Sequence, residues 1–404
     1  MATLLLIVIY LAFISLGLPD SILGSAWPTM HQDLNVSVSS AGIVTMVVSG
    51  CTIISTLISE KVIKRFGTHA VSFVSVLLTA GALLGFSFSN QYYLLLVLAV
   101  PLGLGAGSID AALNNYVAVH FKATHMNWLH CCWGLGAMLG PIIISSYILK
   151  PYGWQTGYRT ISFIQFGLAL ILLISVPLWK KNQYQEASDI SEESVQQEEA
   201  KSIWKLKGVK VTMLVLFFYC AAELSTGLWG SSFLVQYRGF TEDKAAAAIS
   251  LYYAGITIGR MLAGFLSIKL NNKNLIRIGV CVSVVGAALL LFPTVAYISM
   301  AGLLLIGVGF APIYPAMLHE TPRRFGIADS QKIIGYQMSC AYVGITFMPM
   351  LLGQVSRWTS LVIYPGVIIG FILLCGLCAE LAGKAVAKNE KNDALHRTPE
   401  TKKE

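Results

Sequence analysis

Asp20, Asp110 and Glu223 each interrupt a long apolar run, in GLPDSILG (17–24), GSIDAALNN (107–115) and YCAAELSTG (219–227). A carboxyl group in such surroundings does one of two kinds of work. It takes up and releases a proton, or it accepts hydrogen bonds from a hydroxylated solute. An ionised Asp in mid-bilayer costs roughly 2.5–3.5 kcal/mol on insertion scales, and such residues face cavities and mark pathways. The structural alternative is an ion pair with a neighbouring base. Arg260 is the one base inside an apolar run, toward its inner end, and one partner cannot satisfy three acids. Glu60, Glu320 and Glu380 stand near run ends and can reach the surface, so they are weaker candidates.

Helical spacing groups further polar residues with these acids. Asp110 and Asn114 are four apart and share a face, whereas Asn115 points about 100° away, as a helix-packing residue does. Asp20, Gly24 and Trp27 form one stripe, with Pro19 loosening the backbone beside the acid. His130 and Trp133 form another, as do Tyr219, Glu223 and Gly227. His130 is suited to relaying a proton or donating to a solute, with a packing histidine as the plainer role. The candidate substrate ligands are Asp20, Asn114, His130, Trp133, Glu223, Trp229, Tyr252, Tyr253, Tyr314 and Gln337. The candidate cation-coupling groups are Asp20, Asp110 and Glu223, with H+ or Na+ as the coupling ion. Each aromatic on this list has packing or an interfacial belt as its alternative role.

The elements that must position these residues follow from composition. The chain is 55% hydrophobic and 12% charged, with a mean hydropathy of +0.68; a soluble domain carries about twice that charge. Twelve apolar runs of about 20 residues, the length that crosses a bilayer, lie between short charged clusters. Each must be helical, because lipid offers backbone groups no partner. The expected fold is an all-α polytopic membrane protein with twelve transmembrane helices. The net charge of +8 does not point to nucleic acid, because 22 of the 28 Lys and Arg fall in the loops and tail on one side. The positive-inside rule then places both termini in the cytoplasm. The N-terminus lacks a basic region and cleavage site and reads as a retained first span. All eight Cys fall inside spans. HCC (130–132) and CGLC (375–378) have no second ligand pair at metal spacing, so neither a metal nor another cofactor is expected.

Residues 180–206 form the one long polar insert, with six spans before it and six after. The expected organisation is a bundle over 1–179, a cytoplasmic linker over 180–206, a second bundle over 207–383 and a disordered tail over 384–404. The halves resemble each other weakly, through Gly105/Gly107 and Gly307/Gly309 and through Pro141 and Pro349. Two six-helix bundles joined by a charged loop are the layout of major facilitator transporters, whose substrate binds near the midplane between halves that rock around it. GLGAG (103–107) lacks the strand and ribose acid of a dinucleotide fingerprint and reads as a close-packing helix face. Asn35-Val36-Ser37 is formally a glycosylation sequon in an outer loop.

IDAALNNYV (109–117) with MNWLHCCWGLGAMLGP (126–141) resembles the acid and Asn-Leu-x-Gln/His pattern of the fucose:proton symporter family, most closely its sodium-dependent glucose transporter-like branch. GLPDSILG, YCAAELSTGLWGSSFLVQY (219–237), YYAGITIGRMLAG (252–264) and GFAPIYP (309–315) are similar to further motifs of that family, in order. The resemblance implies that Asp20 and Asp110 bind substrate or titrate, and that His130 stands where many relatives have Gln. Pro19 replaces an Asn that would be a sugar ligand, and Ala221 and Ala222 replace a Gly-containing pair, which bears on which sugar is taken.

Three functions follow as expectations. The first is cation-coupled symport of a monosaccharide by a monomer in the plasma membrane, with the lipid bilayer as its other partner. The second is proton-coupled export of drugs or metabolites, for which GAMLGP (136–141) speaks. The third is a sensor that keeps the fold and transports nothing, against which the intact acids argue. An enzyme is not expected, because the deep acids have no paired nucleophile and base.

Overall fold

The computed structural model describes residues 2–121, 123–179, 206, 208–267, 269–292 and 296–396. Among these there is no strand, and twelve helical segments are long and apolar enough to cross a membrane. They are Thr3–Asp33, Ser40–Ser59, Thr68–Ser87, Tyr92–Asn114, Trp128–Tyr147 and Gly153–Ile174, then Val209–Arg238, Glu242–Leu266, Asn272–Leu289, Ala296–Phe325, Ile333–Trp358 and Leu361–Ala385. The expected all-α architecture with twelve spans is therefore what the chain adopts. The expected linker, 180–206, lies almost wholly outside the described residues. The expected tail differs in part, because the last helix runs from Tyr364 to His396, past position 384. Its extension, KAVAKNEKNDALH, contains no Gly or Pro and is rich in Ala and Lys, which hold helix well.

Two spans are broken, and both breaks lie at the site. The first consists of Ala2–Asp20 and Ile22–Asp33, with Ser21 between them. Pro19 has no N–H to give and loosens this turn, so Asp20 ends the first segment. The tenth breaks between Ala296–Phe310 and Ile313–Phe325, just before Tyr314. Two pairs of helices join through a single glycine. Gly67 and Gly326 each follow an Arg-Phe pair and hold φ of +82° and +86° with extended ψ, a region open essentially to glycine.

Small residues set the helix spacing. A methyl group added at Gly17 would lie 2.8 Å from the Ala137 nitrogen, and one at Gly136 would lie 3.2 Å from Gly17 Cα. Spans one and five therefore touch backbone to backbone, which carries Trp133 to the end of the Asp20 helix. The GLGAG run does what its composition suggested. Gly103 and Gly107 abut span two, and a methyl at Gly105 would lie 2.7 Å from the Ser75 carbonyl oxygen of span three.

The two halves meet most closely on the face away from the chain termini. There Ser145 Oγ donates to the Asp243 carbonyl at 2.8 Å, and methyls at Gly24 and Gly42 would lie 2.7 Å from Leu228 Cα and Met350 Cα. Toward the termini, span four packs closely on neither span ten nor span eleven among the described residues. Among the described residues the seam is closely packed at one face and less so at the other.

Candidate functional site

At the bottom of this seam the Asp20 carboxylate is exposed although it lies in the interior of the first span. Trp133 of span five donates its indole Nε1–H to Asp20 Oδ2 at 2.7 Å. The Arg260 guanidinium of span eight lies 5.3 Å over the Trp133 ring, and Arg260 Nη2 is 3.7 Å from Glu223 Oε1 of span seven. Tyr253 meets Trp133 edge-on at 6.4 Å. Asp20, Trp133, Arg260 and Glu223 thus form one continuous chain of contacts from the first half to the second.

Asp110 sits beside this chain, within electrostatic reach of Asp20. Asn114, one turn on, donates Nδ2–H to Asp110 Oδ1 at 2.9 Å and reaches its backbone carbonyl at 3.0 Å. The spacing that put both on one face also lets the amide orient the acid. Tyr314 and Tyr342, from the other half, lie within electrostatic reach of Asp110. Tyr342 also faces Thr56 of span two, where spans two and eleven pack against each other across the seam. His130 is exposed, packs edge-on against Phe13 at 6.0 Å and faces the Arg260 charge.

The structure therefore brings together Asp20, Asp110, Asn114, His130, Trp133, Glu223, Tyr253 and Tyr314. Three other candidates are placed differently. Trp229 is fully buried and donates Nε1–H to the Pro349 carbonyl at 2.9 Å. Tyr252 is fully buried and donates to the Glu223 backbone carbonyl at 2.9 Å. Gln337 is fully buried and accepts from Thr321 at 3.1 Å. All three hold helices together, because a buried polar tip must find a partner and a nearby carbonyl or hydroxyl supplied it first. The side chain of Asn115 lies outside the described residues. Arg260 and Tyr342 join the site although neither was among the candidates. Arg260 is the more readable of the two, as a lone base inside a span.

Charge pairing separates the acids. Glu223 has Arg260, Glu320 has Arg324 at 3.3 Å and Arg323 at 3.8 Å, and Glu380 has Arg277 at 2.5 Å. Asp20 and Asp110 have no base among the described residues, only one side-chain donor each. The arrangement can accept hydrogen bonds from a polar solute at two carboxylates and can take up a cation there.

Trp133→Phe keeps a ring under Arg260 and removes the donor to Asp20. Because the Asp20 carboxylate is exposed and water can replace the lost donor, the empty protein should lose about 0.5–1.5 kcal/mol, the net range of a typical hydrogen bond. Trp133→Leu should lose a further ~0.5–2 kcal/mol with the cation–π contact. Melting temperatures in detergent must fall in the order wild type, Phe, Leu; equal losses would mean that the indole N–H contributes nothing.

Twelve spans, with two acids that have no base among the described residues at the seam between two halves, are the layout of a polytopic membrane transporter. The sequence profile of the Major Facilitator Superfamily matches residues 9–349 and 211–402, and the chain belongs to that family. It is 25% identical over 317 residues to the glucose/mannose transporter GlcP of Bacillus subtilis, covering 76% of this chain and 77% of that one. It is 24% identical to a glucose/galactose transporter of Brucella abortus, covering 66% of each. Its fold matches a crystal structure of a D-xylose-proton symporter with a TM-score of 0.76 at 13% identity, over 94% of this chain and 97% of that one.

Proposed function

We propose that this protein couples the uptake of a monosaccharide, a hexose-like sugar, to entry of a cation, most simply H+, by alternating access. The observation that carries this reading is the pair of unpaired carboxylates, Asp20 and Asp110, facing one seam with a single donor each. A lipophilic substrate would leave them without partners, at about 1–3 kcal/mol for each unsatisfied group. A hydroxyl-rich one satisfies them. The names of the relatives, transporters of glucose, mannose and galactose, support the sugar class. In this reading Asp20 takes sugar hydroxyls, Asp110 carries the proton, and Trp133 and Tyr253 offer aromatic faces. Both termini lie in the cytoplasm, the protein sits in the plasma membrane as a monomer, and the seam described here opens inward.

The test is purified protein in liposomes, assayed for sugar counterflow with and without an imposed pH or sodium gradient. Exchange of a hexose, and its accumulation only when the outside is acidic, supports the reading. Accumulation driven by sodium alone would keep the sugar and change the ion. Movement of cationic dyes with no sugar active at millimolar concentration would sink it in favour of drug export.

Asp20→Asn tests the substrate contact. The amide keeps one acceptor oxygen and loses the charge, so sugar binding should weaken by about 1.5–3 kcal/mol. Unchanged affinity in titration calorimetry would remove Asp20 from the sugar site.

A further inference from the structure

A buried polar knot lies directly behind both unpaired acids. Pro19 stands in the helix Ala2–Asp20, and a proline cannot donate to the carbonyl four residues earlier. That carbonyl belongs to Ser15. Gln165 of span six, 1% exposed, reaches it: its Nε2–H donates to the Ser15 oxygen at 2.8 Å. Its Oε1 in turn lies 3.1 Å from Thr79 Oγ1 of span three. Thr79 also lies 2.9 Å from the Val76 carbonyl and shares its one proton between the two acceptors.

Gln165, Thr79, Ser15, Pro19 and Ile109 border a common void that has no room for water. Water therefore cannot replace the glutamine, and an orphaned carbonyl there would stay orphaned. The position matters for function. Pro19 immediately precedes Asp20, and Ile109 immediately precedes Asp110. The void beside the knot thus abuts spans one and four at the residue before each acid.

We infer that Gln165 is a positioning residue. By satisfying the Ser15 carbonyl that Pro19 leaves free, it fixes the opened turn of span one and, through the shared packing, the relative placement of Asp20 and Asp110. The consequence for transport rests on the reading of these acids as the substrate and coupling groups; the hydrogen-bond relation between Gln165 and Pro19 does not.

The experiment is a double-mutant cycle of Gln165→Met and Pro19→Ala. Methionine keeps the length and volume of glutamine without its polar groups. Alanine at position 19 restores an N–H that can bond Ser15 within the helix. Gln165→Met should lower the melting temperature by several degrees in the Pro19 background and far less in the Pro19→Ala background. It should also raise the sugar KM about tenfold or more, since small misplacements of positioned groups are costly, with exchange still measurable at saturating sugar. If Gln165→Met alone fails to fold, the double variant should fold and melt near Pro19→Ala alone. Equal losses in both backgrounds would make Gln165 a packing residue only and overturn the inference. A cycle that closes as expected with an unchanged KM would remove the positioning role. The melting data need no substrate, so a wrong sugar assignment cannot mimic either failure.

Discussion

Asp110→Asn should abolish gradient-driven accumulation while leaving exchange of substrate between the two sides of the membrane largely intact. The substituted amide still presents an oxygen to Asn114 Nδ2, which sits 2.9 Å from the acid, so the local geometry survives. What should disappear, on the proposed coupling, is the capacity to bind a proton on the acidic side and release it on the other. A carrier locked in a neutral state at this position returns loaded or empty without regard to the gradient. On the proposed coupling, the wild type, given an acidic exterior, should concentrate sugar inside, and the variant should only equilibrate it. Counterflow and net uptake in the same liposomes separate the two. Wild-type accumulation in the variant would place coupling elsewhere, with Asp20 next in line because it too lacks a base among the described residues.

Much of this arrangement was readable from the chain, for a physical reason. Lipid forces each apolar run to close its own backbone hydrogen bonds, so twelve runs mean twelve helices without knowledge of what they touch. The same solvent makes acids conspicuous, and Asp20, Asp110 and Glu223 all reach the seam. The i, i+4 relation of Asp110 and Asn114 was a local property, and local geometry transfers directly from sequence to structure.

What stayed hidden depends on contacts between distant spans. Trp229, Tyr252 and Gln337 are residue types that serve binding and packing equally well, and only the helix across from each decides. Trp229 points at the Pro349 carbonyl, 120 residues away, which no periodicity encodes. Gln165 stands in an apolar stretch, QTGYRTISFIQFGLALILLI, with nothing beside it to mark a role. One signal was present. A proline inside a helix leaves the carbonyl four residues earlier wanting a donor, so Pro19 announced that some other span had to supply one. It did not say which.

Arg260→Leu is expected to be the most destabilising single change in the site. The guanidinium lies between Glu223, at 3.7 Å, and the face of Trp133, with the Tyr219 hydroxyl close by. Removing it leaves the Glu223 carboxylate, about one-fifth exposed, without a counter-charge, a loss between the ~1 kcal/mol of an exposed pair and the ~3–5 kcal/mol of a buried one. Glu223→Leu should cost less, because Arg260 keeps the indole face beneath it. The double variant removes both charges and should recover most of the loss, since well-packed apolar pairs often replace buried ion pairs at little cost. Melting curves in one detergent at fixed pH measure the cycle, and a double variant no more stable than Arg260→Leu would show that the two groups act independently. The rescued protein then answers a second question. If Asp20 and Asp110 alone carry the cation, it should still accumulate sugar under an acid-outside gradient. A stable double variant that exchanges sugar but cannot concentrate it would add Glu223 to the coupling groups, with Arg260 as the internal cation that displaces the proton from it.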